Sequence, residues 1–187
     1  NITGSSSTVF SSSIGGSGSL VKSNGSVTFY GQNTFSGSLT STGSAIRVTG
    51  SSHFDNLGPV NLNGASFTWL STQPFNGSGR VSLSGSSIIS MSGTTTRDIF
   101  VSSNVSGAVE ATGQAGTTGS FNISGNLNFL GLGRLFSTNG YFINVQNLSM
   151  ASGTILVNHV FTGSGMVYDT GSIYPVLKYA SASINPS

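Results

Sequence analysis

Acidic and histidine side chains are the groups in this chain that could carry acid–base or metal chemistry, and there are few of them. The sequence contains four carboxylates and two histidines. Enzymes that cleave polysaccharides need two or more carboxylates, or Ca²⁺ ligands, brought together at one site. The four acids do not fall at matching positions of neighbouring repeats, so they predict no catalytic pair; they are Asp55, Asp98, Glu110 and Asp169.

One histidine and one aspartate lie two residues apart in His53-Phe54-Asp55. In a strand, alternate side chains point the same way, so the two share one side. An imidazole beside a carboxylate can begin a metal site or a proton-transfer site. No third ligand stands nearby in the sequence, which favours a solvent-facing corner and predicts no metal. His159 has still less support as a functional residue.

Motifs for nucleophilic catalysis and for phosphate binding are missing as well. No Gly-X-Ser-X-Gly motif stands between a strand pattern and a helix pattern, and the sequence has no cysteine. The run Gly16-Ser17-Gly18 leads into a strand, whereas a phosphate-binding glycine loop opens a helix. We therefore predict that the chain is not an enzyme, has no catalytic residue and uses no cofactor.

Arg97 and Asp98 follow three threonines at a place where the strand pattern changes. The spacing from Val81 to Val101 nevertheless keeps the general period of the chain. A loop that protrudes from a regular scaffold explains this pattern. The alternative is a recognition loop, because binding residues often lie on excursions from a rigid framework.

Composition indicates a folded chain with an almost uncharged surface. Charged residues make up 5% of the 187 residues, against roughly 25% in an ordinary soluble domain. Apolar residues make up 36% and are spread evenly, which a flexible Gly/Ser linker does not show. The net charge of +2 comes from scattered residues, and binding of nucleic acid or anionic lipid needs clustered cations. We predict no nucleic-acid partner and no membrane insertion by this segment.

Short apolar patches recur about every twenty residues, in two separate series. Each series keeps this period along the chain, and two series that share one period are stronger evidence than either alone. No apolar pattern at helical spacing persists for three turns. The predicted core stack contains Val27, Ile46, Phe67, Ile88, Val109, Leu127, Leu148 and Val167 in the first series, and Leu39, Val60, Val81, Phe121 and Tyr141 in the second, a series that also includes Val101.

A repeat of this length predicts a solenoid, because each unit is too small to bury its own apolar face and must stack on the next. Gly and Asn between the patches supply corners with positive φ, as at Asn24-Gly25 and Asn63-Gly64. We expect an all-β fold, a single-chain right-handed parallel β-helix (β-solenoid) of about nine coils of about twenty residues. We expect residues 1–187 to form one domain, as part of a longer repeat array.

Residues 14–42 resemble the passenger-associated strand repeat of bacterial autotransporters. The family pattern is Gly-X-Gly-X-Leu-X-Lys-X-Gly-X-Gly, then an alternating strand, then Gly-X-Asn-Thr-aromatic. This chain departs from it with Asn24 near a glycine position and with Val27-Thr28-Phe29 in place of Leu-Thr-Leu. The resemblance implies a right-handed parallel β-helix exported to a cell surface, and it brings no catalytic residue. The matching positions are Gly16, Gly18, Leu20, Lys22, Gly25, Gly31, Asn33, Thr34 and Phe35.

Taken together, these patterns predict an extracellular or cell-surface structural protein that associates with itself, end to end or laterally, in a fibre, sheath or surface layer. An adhesin or autotransporter passenger that binds a glycan or a surface protein is the alternative. A polysaccharide-active enzyme or an ice-binding protein has less support. Six Asn-X-Ser/Thr sequences are candidates for N-glycosylation, at Asn1, Asn24, Asn76, Asn104, Asn122 and Asn147.

Overall fold

The described part of the chain consists of parallel β-sheets arranged as a β-solenoid of about five turns, and it contains no helix. A computed structural model describes residues 2–3, 5–91, 93–101, 107–111, 119–129, 133–138, 141–150, 155–160 and 177–184. The strands are β1 (Ile2–Thr3), β2 (Ser7–Phe10), β3 (Leu20–Ser23), β4 (Ser26–Phe29), β5 (Gln32–Asn33), β6 (Leu39–Thr42), β7 (Ala45–Gly50), β8 (His53–Phe54), β9 (Val60–Asn63), β10 (Ser66–Ser71), β11 (Val81–Ser84), β12 (Ile88–Met91), β13 (Gly93–Thr95), β14 (Ile99–Val101), β15 (Gly107–Ala111), β16 (Gly119–Phe129), β17 (Gly133–Thr138), β18 (Tyr141–Met150), β19 (Ile155–Val160) and β20 (Leu177–Ile184).

Each winding of the chain contributes strands to separate faces, and each strand pairs in parallel with its equivalent in the next winding. The first sheet follows the order β1-β3-β6-β9-β11-β14-β16-β18-β20. The second sheet follows the order β2-β4-β7-β10-β12-β15-β17-β19. A third face is formed by β5 with β8 and by the bridge between Phe75 and Thr95.

The third face and the first sheet merge at β16. The first half of this strand pairs with β13, and its second half pairs with β14. The pairing of β16 with β18 shifts register between Ile123 and Asn126, which marks a bulge in the place of a corner. In an earlier winding the same corner contains Gly58-Pro59, where Pro59 has no N–H to donate and only its carbonyl joins the windings, accepting from the Leu39 N–H at 2.9 Å.

Side chains of the second sheet form an inward row that confirms the repeat as the source of the core. Val27 pairs with Ile46, and Ile46 pairs with Phe67. All three are fully or almost fully buried. Burial of such a side chain contributes roughly 1.5–3 kcal/mol, and a register slip of one residue would turn the whole row to solvent. The row continues through Ile89, Val109 and Leu135.

Ile88 was predicted in this row, and that prediction is wrong by one residue. Ile88 pairs with Ser66 and is half-buried, whereas Ile89 pairs with Phe67 and is fully buried. The connection before β12 contains residues 85–87, one more than the two-residue connections before β7 and β10. The extra residue is Ser87, whose buried hydroxyl accepts a hydrogen bond from the Ala65 N–H at 3.2 Å.

Leu127 and Leu148 belong to the first sheet and not to the second, which corrects the sequence prediction for both. Their row begins with Leu39 and contains Val60, Val81 and then Ile99 before it reaches Leu127. The prediction failed because the repeat is not constant in this part of the chain. It is shorter than average between Val81 and Ile99 and much longer than average between Ile99 and Leu127.

Three other members of the predicted second series are also reassigned. Val101 was predicted to follow Val81 in the core row. It pairs instead with Leu83, which lies two residues after Val81 in β11, and Val81 pairs with Ile99. Phe121 pairs with Ile143, so Tyr141 is not its neighbour; Tyr141 pairs with Gly119. Val167, the last member of the first series, lies outside the described residues.

The two neighbouring isoleucines give a direct test of this register. Ile89→Ala removes a fully buried side chain, and we expect it to lower the free energy of unfolding by about 2–4 kcal/mol. Ile88→Ala changes a half-buried side chain on the other face, and we expect a loss below about 1 kcal/mol. Urea unfolding followed by Trp69 fluorescence measures both losses. Equal losses, or a larger loss for Ile88→Ala, would contradict the register.

Candidate functional site

The third face carries the histidine and aspartate singled out in the sequence. Strand β8 pairs in parallel with β5, so His53 lies beside Gln32 and Phe54 beside Asn33. Phe54 is buried, and the residues on either side of it point outward. The strand alternation therefore places His53 and Asp55 together on the outer surface.

His53 and Asp55 form an ion pair with Nε2 and Oδ1 2.9 Å apart. The other ring nitrogen, Nδ1, lies 3.1 Å from the Ser51 carbonyl oxygen. Both ring nitrogens thus face acceptor oxygens. Asp55 is more exposed than His53, with 45% against 22% of the side-chain surface accessible.

An open pocket of about 210 Å³ lies beside this pair. Two successive windings form it, because β8 supplies one wall and the residues after β10 supply the other. The lining is mainly polar and contains no lysine or arginine. The lining residues are His53, Phe54, Asp55, Gln73, Pro74 and Asn76.

Asn33 fixes the backbone beneath the pair. This side chain is fully buried, and its Nδ2 donates to the Gly31 carbonyl at 2.7 Å and to the His53 carbonyl at 3.2 Å. Its Oδ1 accepts a hydrogen bond from the Ile14 N–H at 3.1 Å. Asn33 therefore joins three successive windings. The sequence marked this residue only as part of a family motif, and its structural role was not predicted.

A cluster of aromatic rings supports the pocket from inside. Phe54 packs against Trp69 with ring centroids 6.2 Å apart, and Trp69 packs against Phe75 at 4.7 Å. The indole Nε1 of Trp69 donates to the Gln73 carbonyl at 2.8 Å. That bond fixes the backbone of one pocket residue to the core. Trp69 is fully buried.

Arg97 is not part of a protruding or recognition loop, because its side chain is only 2% exposed. Its guanidinium lies 4.9 Å from the centre of the Phe75 ring. Burial lowers the pKa of Arg97 to about 10, which leaves the group charged at neutral pH. It donates to backbone carbonyls of the two preceding windings, those of Leu57 at 3.0 Å, Ser78 at 3.0 Å, Asn76 at 3.4 Å and Gly58.

Asp98 also bonds to the solenoid itself. Its Oδ1 accepts from the Asn126 backbone N–H at 2.8 Å and from the Asn126 side-chain amide at 3.0 Å. The prediction of a loop at residues 97–98 failed because both side chains are used to connect windings. Arg97 reaches backward along the solenoid, and Asp98 reaches forward.

The pocket lining contains no other acid or histidine candidate among the described residues. Glu110 lies in β15, where it pairs with Ser90. His159 lies in β19, where it pairs with Ser137. Asp169 lies outside the described residues. Within the described ranges, no group of three histidine or acidic side chains is arranged to hold a metal ion.

The predicted glycosylation sites that the structure describes are all at the surface. Asn24 and Asn147 are exposed, and Asn24 occupies a corner with φ of 58°. Asn76 and Asn122 are half-buried. Asn1 and Asn104 lie outside the described residues.

Comparisons with known proteins leave the family open. Searches against family models, curated proteins and solved structures give no match. None of the described residues forms a helix long and apolar enough to cross a membrane.

Substitution of Arg97 tests whether its hydrogen bonds to backbone carbonyls hold the windings together beneath the pocket. Arg97→Met leaves up to three backbone carbonyls without a donor, since the Leu57 carbonyl also accepts from the Ser78 N–H, and we expect it to lower the free energy of unfolding by about 2–4 kcal/mol. Arg97→Lys keeps the charge but loses the planar fork, so we expect most of the same loss. Arg47→Met, on an exposed arginine of β7, is the control and is expected to change stability by less than about 0.5 kcal/mol.

The measurement is equilibrium urea unfolding, with Trp69 fluorescence as the probe because Trp69 contacts Phe75 directly. If Arg97→Met were as stable as Arg47→Met, the hydrogen bonds of Arg97 would not be holding the windings together.

Proposed function

We propose that this chain is a structural segment of an extracellular fibre, sheath or surface layer. In this proposal, right-handed parallel β-solenoids of about nine coils associate end to end or side by side. The observation that carries the proposal is a β-solenoid whose outer faces are polar but almost free of charge. Such faces lack the repulsion between like charges that normally keeps soluble domains apart.

The outer face of the first sheet illustrates this surface. Three successive strands, β6, β9 and β11, present only uncharged polar residues outward. These side chains are paired in register along the solenoid axis, so they form rows and not scattered positions. The rows are Thr40, Asn61 and Ser82, and Thr42, Asn63 and Ser84.

Hydrogen bonds between successive windings occur along several such rows. Ser26 donates to Ser7 at 2.9 Å, and Ser38 donates to Ser19 at 2.9 Å. Farther along the chain, the amide of Asn144 donates to Asn122 at 3.2 Å. Hydroxyl and amide rows can bond to a second solenoid in the same way as they bond to one another, which favours lateral association.

End-to-end association is favoured by the parallel strand pairing that joins successive windings. Every strand pairs in parallel with its equivalent one winding away. A winding from a second copy can therefore add the same backbone hydrogen bonds that join windings within one chain. A cell-surface location is part of the proposal and is supported by the resemblance of residues 14–42 to the autotransporter passenger repeat.

Charge introduced on the outer face of β9 tests lateral association. Asn61 and Asn63 are both exposed and point outward, so Asn61→Glu/Asn63→Glu places two carboxylates there without disturbing the core. We expect the parent protein to form bundles or filaments in negative-stain electron microscopy as concentration rises. The double glutamate variant should need at least about tenfold more protein to do so, because its faces repel.

The matched control is Asn61→Gln/Asn63→Gln, which should assemble like the parent protein. High salt should restore assembly of the glutamate variant, since the screening length falls from about 10 Å at 0.1 M to about 3 Å at 1 M. Isolated particles of the parent protein at high concentration would overturn the proposal. Unimpaired assembly of the glutamate variant would overturn lateral contact through this face.

A further inference from the structure

The pocket beside His53 and Asp55 contains hydrogen-bonding groups that the fold does not use. In the described structure, the second carboxylate oxygen of Asp55 and the whole side-chain amide of Gln73 make no hydrogen bond. Asn76 accepts one bond from Thr96 at 3.4 Å through its Oδ1, and its Nδ2 donates none. Unused acceptors and donors therefore line one small opening.

This set of groups matches the hydroxyls of a sugar ring. Each sugar hydroxyl both donates and accepts, so neighbouring hydroxyls are bound best by a carboxylate together with side-chain amides. Asp55 supplies an acceptor, Asn76 supplies a donor, and Gln73 supplies both. Pro74 is exposed and adds a small apolar surface for the C–H groups of a ring.

Charge and size restrict the ligand further. The lining has no lysine or arginine, and its one cationic candidate, His53, is already paired with Asp55. An anionic sugar would therefore meet a carboxylate with no free cation to offset it. The volume of about 210 Å³ is below the roughly 300–1,000 Å³ of pockets that enclose drug-sized ligands. One ring of a longer saccharide fits such a space better than an extended ligand.

We propose that the pocket formed by His53, Asp55, Gln73 and Asn76 binds one ring of a neutral saccharide. Asp55 accepts hydrogen bonds from two ring hydroxyls, and the amides of Gln73 and Asn76 bond to hydroxyls on the opposite side. His53 orients the Asp55 carboxylate.

The pocket is held in shape before any ligand binds. Asn33 fixes the His53 backbone, Trp69 fixes the Gln73 backbone and Arg97 fixes the Asn76 backbone, each through a hydrogen bond to a carbonyl. A preformed site loses less conformational entropy on binding. The site uses the third face, so it is independent of association through the first sheet. It would give the solenoid the glycan-binding capacity of an adhesin.

Saturation-transfer NMR of the purified chain tests the proposal. The probes are the neutral methyl glycosides of glucose, galactose, mannose and N-acetylglucosamine, with methyl glucuronide as an anionic probe. At about 10 mM ligand, a site with a Kd of about 1 mM would be largely occupied. We expect saturation transfer to at least one neutral glycoside and none to the glucuronide.

Asp55→Asn and Gln73→Ala should each weaken that binding at least about tenfold, since each removes a group that bonds directly to the ring. Both side chains are exposed, so the variants should keep the unfolding midpoint of the parent protein. Gln32→Ala is the matched control, because Gln32 is exposed on the same face but lies outside the pocket; it should bind like the parent.

Three results would overturn the proposal. The first is no transfer to any neutral glycoside, and the second is binding that survives both pocket variants. The third is stoichiometric binding of Zn²⁺ that broadens the His53 resonances and is lost in Asp55→Asn, which would make the pair a metal site.

Discussion

Parallel pairing between equivalent strands one winding apart is the constraint on which the rest of this structure depends. Leu39 pairs with Val60, and Val60 pairs with Val81, so these two windings have the same length. The chain must return to the same edge after every winding, so the perimeter can change only where a corner absorbs the difference. The connection before β12 is such a corner, because it contains one extra residue, Ser87, whose hydroxyl accepts from the Ala65 N–H. Without that adjustment, Ile89 and all later inward side chains would face solvent.

A narrow solenoid cannot fill its corners with apolar residues alone, because the backbone carbonyls of each corner also need donors. The third-face corner meets this need with buried polar side chains. Asn33 does so for the earlier windings, and Arg97 does so for the later ones. Thr95 contributes as well, donating to the Phe75 carbonyl at 2.6 Å. These buried bonds hold the backbone behind the pocket, while His53, Asp55 and Gln73 remain accessible at the surface.

Much of the fold could be predicted from the sequence, because two series of apolar residues kept one period and glycine and asparagine marked the corners. The row of Val27, Ile46 and Phe67 followed directly from spacing. Ile88 and Ile89 could not be distinguished, since both are apolar and only the corner length decides which one faces inward. Leu127 was placed on the wrong face because the repeat lengthens before it.

The candidate site was visible only in part. The alternation of β8 was enough to put His53 and Asp55 on one side, and the structure shows them in contact. The second wall of the pocket comes from the next winding, and its contribution depends on a corner geometry that composition does not specify. Arg97 was assigned to a protruding loop because the strand pattern changes after three threonines, although the spacing from Val81 to Val101 keeps the period. Its partners are backbone carbonyls, which leave no signature in the sequence.

The stacking of windings is tested most directly by cross-linking, since the chain has no cysteine of its own. Thr40 and Asn61 are register partners on the outer face of the first sheet. Parallel strands lie about 4.8 Å apart, within the range of a disulfide. The Thr40→Cys/Asn61→Cys variant should therefore oxidise fully to an intramolecular disulfide, detected by intact mass and by gel mobility. In the control variant Thr40→Cys/Asn63→Cys, the second cysteine lies two residues beyond the register partner of Thr40. This variant should remain reduced under the same conditions. Equal oxidation of the two variants, or oxidation of the displaced pair alone, would contradict the in-register solenoid.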